Sequence, residues 1–129
     1  MTINYSLIDE LAKLPGVVAA GGFTYRGDQK VYRGQLSDAE AESIATAARA
    51  TLETMRMQGD ILKMFTTVCS PGVKECGLEG GKGFAVRGPL RTLCVVSNAF
   101  CILDHQKASV TPILRLMLER QADAPDVLI

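Results

Sequence analysis

Four cysteines and one histidine are the residues of this chain best equipped for chemistry. Cys69 and Cys76 are separated by six residues, as are Cys94 and Cys101. Zinc sites favour pairs with about two to four intervening residues, so the spacing argues against a metal centre. Cys94 and Cys101 flank Ser97-Asn98. If those two residues form a hairpin turn, the thiols face each other across paired strands, where a bond is geometrically conceivable. The plainer reading is two small apolar residues in a buried sheet. Cys69 and Cys76 fall within Thr66 to Lys82, whose glycines and Pro71 read as one long irregular loop. Loops of that length in compact domains usually serve a function. These two thiols are the candidates for redox sensing or persulfide handling. His105 follows Asp104 at the approach to the last helix. General acid–base work needs a partner and a pocket, and the neighbouring sequence offers no nucleophile with a base. It reads as a surface turn residue, and no catalytic, cofactor-binding or metal-ligating set points to an enzyme.

Two shorter motifs have structural explanations. Arg26-Gly27-Asp28 matches an adhesion triplet, but a Gly-Asp turn inside a hairpin explains it better. Gly21-Gly22 lacks the further glycines and the Lys-Ser/Thr of a phosphate loop. It reads as a bulge or a close backbone approach by a packed helix.

Composition narrows the partners. The chain has 129 residues, the size of one domain over 1–129. Lys+Arg 14 balance Asp+Glu 14, so no basic excess points to nucleic acid or an anionic membrane. Aromatics are 5% and Trp is absent, which argues against base-stacking platforms. No apolar run approaches the roughly 20 residues of a membrane span, and the first residues lack a signal pattern. A cytoplasmic protein with reduced thiols is the expectation.

The element that must position everything else is the helix expected over Ser37 to Phe65. Ser37 and Glu40 have capping-box spacing, and Asp38, Glu40 and Glu42 suit the positive end of the helix dipole. At about 100° per residue, one stripe collects Ala41, Ile44, Ala45, Ala48, Leu52, Met55, Gly59 and Leu62. That is the face of a helix packed on a core. Charged residues from Glu42 to Lys63 fall within an arc of roughly 80°, and Glu53 with Arg56 reads as a solvated pair. A second stripe, Ala47, Ala50, Thr51, Thr54, Met57, Ile61 and Phe65, carries no charge. It could lie beneath this chain, face a second copy, or receive another protein, for which Met is suited. The chain is short for full wrapping, so a subunit interface is the preferred reading. Gly59 is a place for the helix to bend or end.

Around this helix the remaining pattern is regular. Ser6 to Leu14 reads as a short helix stopped by Pro15-Gly16, and Val17 to Tyr25 and Lys30 to Arg33 as a hairpin. Gly83–Arg87, Leu90–Ser97 and Ala99–Leu103 read as three strands, the last two apolar enough to be covered on both faces. A final helix is expected from Ser109 as N-cap to Arg120, burying Val110, Ile113, Leu114, Met117 and Leu118. Val127-Leu128-Ile129 is apolar enough to dock somewhere. The order is helix, two strands, long helix, three strands, helix. Short connections make the five-stranded sheet mostly antiparallel, with helices on both faces: an α/β (α+β) sandwich.

This order resembles the roadblock/LC7 domain, the family of dynein light chains and bacterial GTPase regulators. Leu11-Ala12-Lys13-Leu14-Pro15-Gly16-Val17-Val18-Ala19-Ala20-Gly21, a turn near Gly27 and the long Ala-rich helix look like that family's opening. Gly83–Arg87 followed by Cys94-Val95-Val96 looks like its later hairpin. The insertion at Thr66 to Lys82 departs from the pattern and suggests an uncharacterised bacterial branch. The resemblance implies a non-enzymatic module without cofactors. It would homodimerise through the long helix and the third strand, engaging Ala47, Ala50, Thr54, Met57, Ile61, Phe84 and Val86. The dimer would act as a scaffold, adaptor or platform for a small GTPase or another complex. The alternative is a redox or sulfur-handling accessory protein working through Cys69 and Cys76.

Overall fold

The computed structural model describes residues 3–24, 28–69 and 82–122, with side chains given outside 59–69. Their order is α1 (Tyr5–Ala12), β1 (Val17–Phe23), β2 (Lys30–Gly34), α2 (Asp38–Cys69), β3 (Gly83–Arg87), β4 (Arg91–Val96), β5 (Ala99–Asp104) and α3 (Val110–Arg120). The strands form one sheet ordered β2-β1-β5-β4-β3, and every neighbouring pair is antiparallel. This is the sandwich that the hydrophobic pattern implies. The expected hairpin turn at Arg26-Gly27 and the segment 70–81 lie outside the described residues.

Local chemistry explains the element ends. Asn4 caps α1 by accepting the Leu7 N–H at 3.1 Å, which offsets one orphan donor of the first turn. Gly16 adopts φ 83°, and a Cβ there would sit 2.5 Å from Ala108 Cβ, so the chain can turn into β1 only without a side chain. Ser97 takes φ 54° at the first loop position between β4 and β5. A tight two-residue hairpin needs positive φ there, and it sets the register Val96↔Ala99, Val95↔Phe100 and Cys94↔Cys101.

The two faces of the sheet have separate cores. Leu7, Ile8 and Leu11 of α1 and Ile113 and Met117 of α3 pack with Cys94, Cys101 and Leu103 on one face. Ala45 and Ala48 of α2 pack with Phe23, Val95 and Phe100 on the other. Gly21-Gly22 serves both. A Cβ at Gly21 would fall 2.5 Å from the Phe100 ring, and one at Gly22 would fall 2.9 Å from Ile8 of α1. The close approach is therefore real, with an aromatic ring on one side and a helix on the other. Leu118 is a correction: it is 47% exposed. Ile113 and Met117 occupy the buried i, i+4 stripe, and Leu118 lies on the adjacent one with half-buried Leu114. At the end of α3, Gln121 is buried and donates to Asn98 Oδ1 at 2.9 Å, joining that helix to the β4–β5 turn.

The two sheet edges differ. On β2, Lys30 pairs with Glu42 at 3.6 Å and Arg33 with Asp9 at 3.4 Å. On β3, Phe84, Ala85 and Val86 stand in a row, and Val86 is 54% exposed.

Candidate functional site

The long helix begins as its capping residues dictate. Ser37 Oγ accepts the Glu40 N–H at 3.1 Å, and Glu40 Oε1 accepts the Ser37 N–H at 3.1 Å. Those bonds favour the ionised carboxylate and hold the Glu40 carboxyl below its ordinary range. Tyr32 on β2 donates to Asp38 at 2.5 Å, fixing the helix start against the sheet. That bond and the Asp38 charge raise the Tyr32 phenol above its usual range.

From there α2 runs 32 residues to Cys69, a length of about 48 Å at 1.5 Å per residue. The longest strand has seven residues, about 23 Å, and five strands at about 4.8 Å spacing span about 19 Å. Even the diagonal of such a sheet is near 30 Å, so α2 must overhang it. Two expectations change as a result. Gly59 does not end the helix, because a single Gly costs only about 1 kcal/mol against Ala and α2 continues ten residues beyond it. Met55, expected in the core stripe, is 43% exposed. Among the described side chains of α2, Ala41, Ala45, Ala48 and Leu52 are buried, and none past Leu52 is.

The described part of the uncharged second stripe is exposed. Ala47, Ala50, Thr51 and Thr54 are exposed, and Met57 is 58% exposed. Burial beneath another described element of the same chain is thereby removed from the three explanations. Thr54 Oγ1 donates to the Ala50 carbonyl at 2.9 Å, so its hydroxyl is satisfied within the helix. The side chains of Ile61 and Phe65 lie outside the described ones. Two strand residues join the same face. The register Phe84↔Val95 and Val86↔Leu93 puts Phe84 and Val86 on the α2 side, where Phe84 is half-buried against the core and Val86 is open.

The thiols separate into two groups. Cys94 and Cys101 are register partners, both fully buried and both free. Burial raises the Cys94 thiol, and burial together with its neighbour pushes Cys101 up to about 12. Neutral, enclosed thiols of this kind behave as small apolar side chains. Cys69 belongs to the last turn of α2 rather than to a loop, because Thr66, Thr67 and Val68 carry no helix breaker before Pro71. Cys76 lies outside the described residues. No cluster of His, Cys, Asp and Glu able to hold a metal occurs among the described residues.

His105 is tethered rather than poised. Its Nε2 lies 3.1 Å from the Pro89 carbonyl and its Nδ1 3.1 Å from Thr92 Oγ1. A carbonyl can only accept, so Nε2 carries a proton, while Nδ1 pairs with the Thr92 hydroxyl. The ring ties the β3–β4 turn to the end of β5. Sequence reading could not find this link, since Pro89 and Thr92 meet His105 only through the strand register.

A crystal structure of a Roadblock/LC7 domain from Streptomyces avermitilis is similar over 92% of this chain and 93% of that one, with a TM-score of 0.53 at 12% identity. At that identity the likeness concerns the fold: this chain has the roadblock/LC7 fold. No curated protein matches the sequence. No helix among the described residues is long and apolar enough to cross a membrane. The family model described as "Uncharacterized conserved protein (DUF2173)" matches residues 7–119, and the chain belongs to that family.

Proposed function

We propose that this chain is a non-enzymatic protein-binding module that works as a homodimer, pairing α2 and β3 with their counterparts in a second copy. The observation that supports it most is the uncharged, solvent-facing stripe Ala47, Ala50, Thr54 and Met57 on a helix that overhangs its sheet. A helix face without charge is normally covered, and no described element of this chain covers it. Alanines permit close helix approach, and Met57 is deformable enough to fill the remaining gaps. Phe84 and Val86 continue the apolar character onto the open β3 edge, and Ile61 continues the stripe in sequence. A two-fold axis would bring identical patches together, each residue counted twice. The dimer would then offer its sheet and helices to a partner such as a small GTPase or a larger complex. The partner would supply any nucleotide chemistry, since this sequence has no phosphate loop of its own.

Light scattering after size exclusion, from about 1 to 100 µM, tests the reading. The expected mass is twice 13.9 kDa. A monodisperse monomer across the range would refute the dimer, and with it the explanation of the bare stripe.

A further inference from the structure

Beside the last residue of β3, a hollow of about 430 Å³ opens on the face of the sheet opposite α2. It is lined by Arg87 of β3 and by His105, Gln106, Lys107 and Ser109 of the β5–α3 connection. That volume lies within the range of ligand cavities. Its charge is one-sided. The chain as a whole is balanced, yet two cations and no Asp or Glu line the hollow. Lys30, Arg33 and Arg120 each pair with a carboxylate. Arg87 and Lys107 make no ion pair and no side-chain hydrogen bond with any described residue.

Both cations stand on backbone that is already fixed. The Gly88 N–H donates to the Arg91 carbonyl at 2.8 Å and closes the turn that follows Arg87. The Lys107 and Ala108 N–H groups donate to the Asp104 carbonyl at 2.9 and 3.0 Å and close the loop that carries Lys107. His105 joins the two, since its ring meets the Pro89 carbonyl of that turn and the hydroxyl of Thr92, the register partner of Arg87. A site positioned before its ligand arrives loses less freedom on binding. Two like charges beside one hollow are balanced by a doubly charged anion, whereas a carboxylate neutralises only one. The Arg87 guanidinium can give two parallel N–H···O bonds to a phosphoryl group, and Lys107 adds a compact charge. Gln106 and Ser109 contribute neutral donors. We infer that this hollow is a phosphoryl-binding site, taking the dianion of a phosphate monoester or of free phosphate on Arg87 and Lys107. It lies across the sheet from α2, so the inference stands whether or not a second copy covers that helix.

NMR titration of the nitrogen-15-labelled full-length protein tests it, with phenyl phosphate, inorganic phosphate and acetate as probes. Ionic strength is held constant in a zwitterionic buffer at about pH 8, above the second phosphate ionisation. Both phosphates should give saturable shifts confined to Arg87 and residues 105–110, with Kd values of about 1–10 mM. Acetate should bind at least about tenfold more weakly. Arg87→Gln and Lys107→Gln, both at exposed positions, should each weaken phenyl phosphate at least about fivefold and leave distant amide shifts unchanged. Tighter phenyl phosphate assigns the site to esters and tighter inorganic phosphate to the free ion; both bear the site out. Shifts that do not saturate, that spread equally to Lys13 and Arg115, or that acetate reproduces at the same concentrations overturn it.

Discussion

Alkylation of the buried thiol pair gives a quantitative test of the sheet interior. An ordinary thiol near 9 is about one-tenth thiolate at pH 8, whereas a thiol pushed to about 12, as Cys101 is, is about one part in ten thousand. The nucleophile is the thiolate, so ionisation alone lowers reactivity about a thousandfold. Both side chains have no exposed surface, so reagent must also wait for the β4–β5 hairpin to open. The assay is iodoacetamide labelling of native and urea-unfolded protein, with each cysteine peptide followed by mass spectrometry. Native Cys101 should react at least about a thousandfold more slowly than in the unfolded chain, and Cys94, raised by the same burial, should also be slowed. Labelling within tenfold of the unfolded rate would refute the placement of these residues. The same burial has a pH signature. The native thiol stays protonated while the unfolded one ionises above about 9, so the unfolded state binds fewer protons there. Stability contributed by Cys101 is therefore intact below pH 9 and is lost by about 1.4 kcal/mol per pH unit up to about 12. Cys101→Ala should flatten that decline.

Other outcomes follow from named contacts. Met57→Glu should weaken self-association by at least about thirtyfold, because burying the exposed part of a Met is worth about 1 kcal/mol per copy and occurs twice; sedimentation equilibrium reads it, and an unchanged association constant would exclude Met57 from the interface. Ser37→Ala removes the helix cap and should lower urea stability by about 1 kcal/mol. It should also reduce the acid sensitivity of stability, since Glu40, held low in the fold, stabilises above the ordinary carboxylate pKa and loses that as pH falls through its folded value. Gln121→Ala should cost about 1–3 kcal/mol in chemical denaturation, because it removes the buried bond to Asn98. Gly21→Val should fail to fold or lose at least about 3 kcal/mol, since its Cβ would lie 2.5 Å from Phe100 and 2.6 Å from the Val31 carbonyl.

Much of the fold was legible because its signals are local. Capping at Ser37, the breaker at Pro15-Gly16, and the apolar runs of β4 and β5 each act within a few residues. The Cys94–Cys101 register also followed, because a two-residue turn fixes it by counting. The long helix shows where local reading stops. Its two uncharged stripes are visible on a helical wheel, but only the sheet's dimensions decide that Ala48 is covered and Met55 is not. Helix length misled for a related reason: Gly59 is a weak breaker against the good helix formers around it, so Cys69 sits on α2. The His105 tether and the Gln121–Asn98 bond join residues 13 to 23 apart in sequence, with no periodicity to announce them.

The unequal sheet edges limit how copies of this chain can grow into larger bodies. Open strands are templates for fibre formation, and charge on an edge strand is a common safeguard. Here β2 carries Lys30 and Arg33, each already engaged with an acidic residue of a neighbouring helix, while β3 carries charge only at its last residue, Arg87, after the uncharged run Gly83-Phe84-Ala85-Val86. In the proposed dimer, union of β3 with β3 would consume the less charged edge and turn both β2 edges outward. Extension by strand addition would then be disfavoured, and the sheet of that dimer would stop at ten strands instead of propagating into a filament.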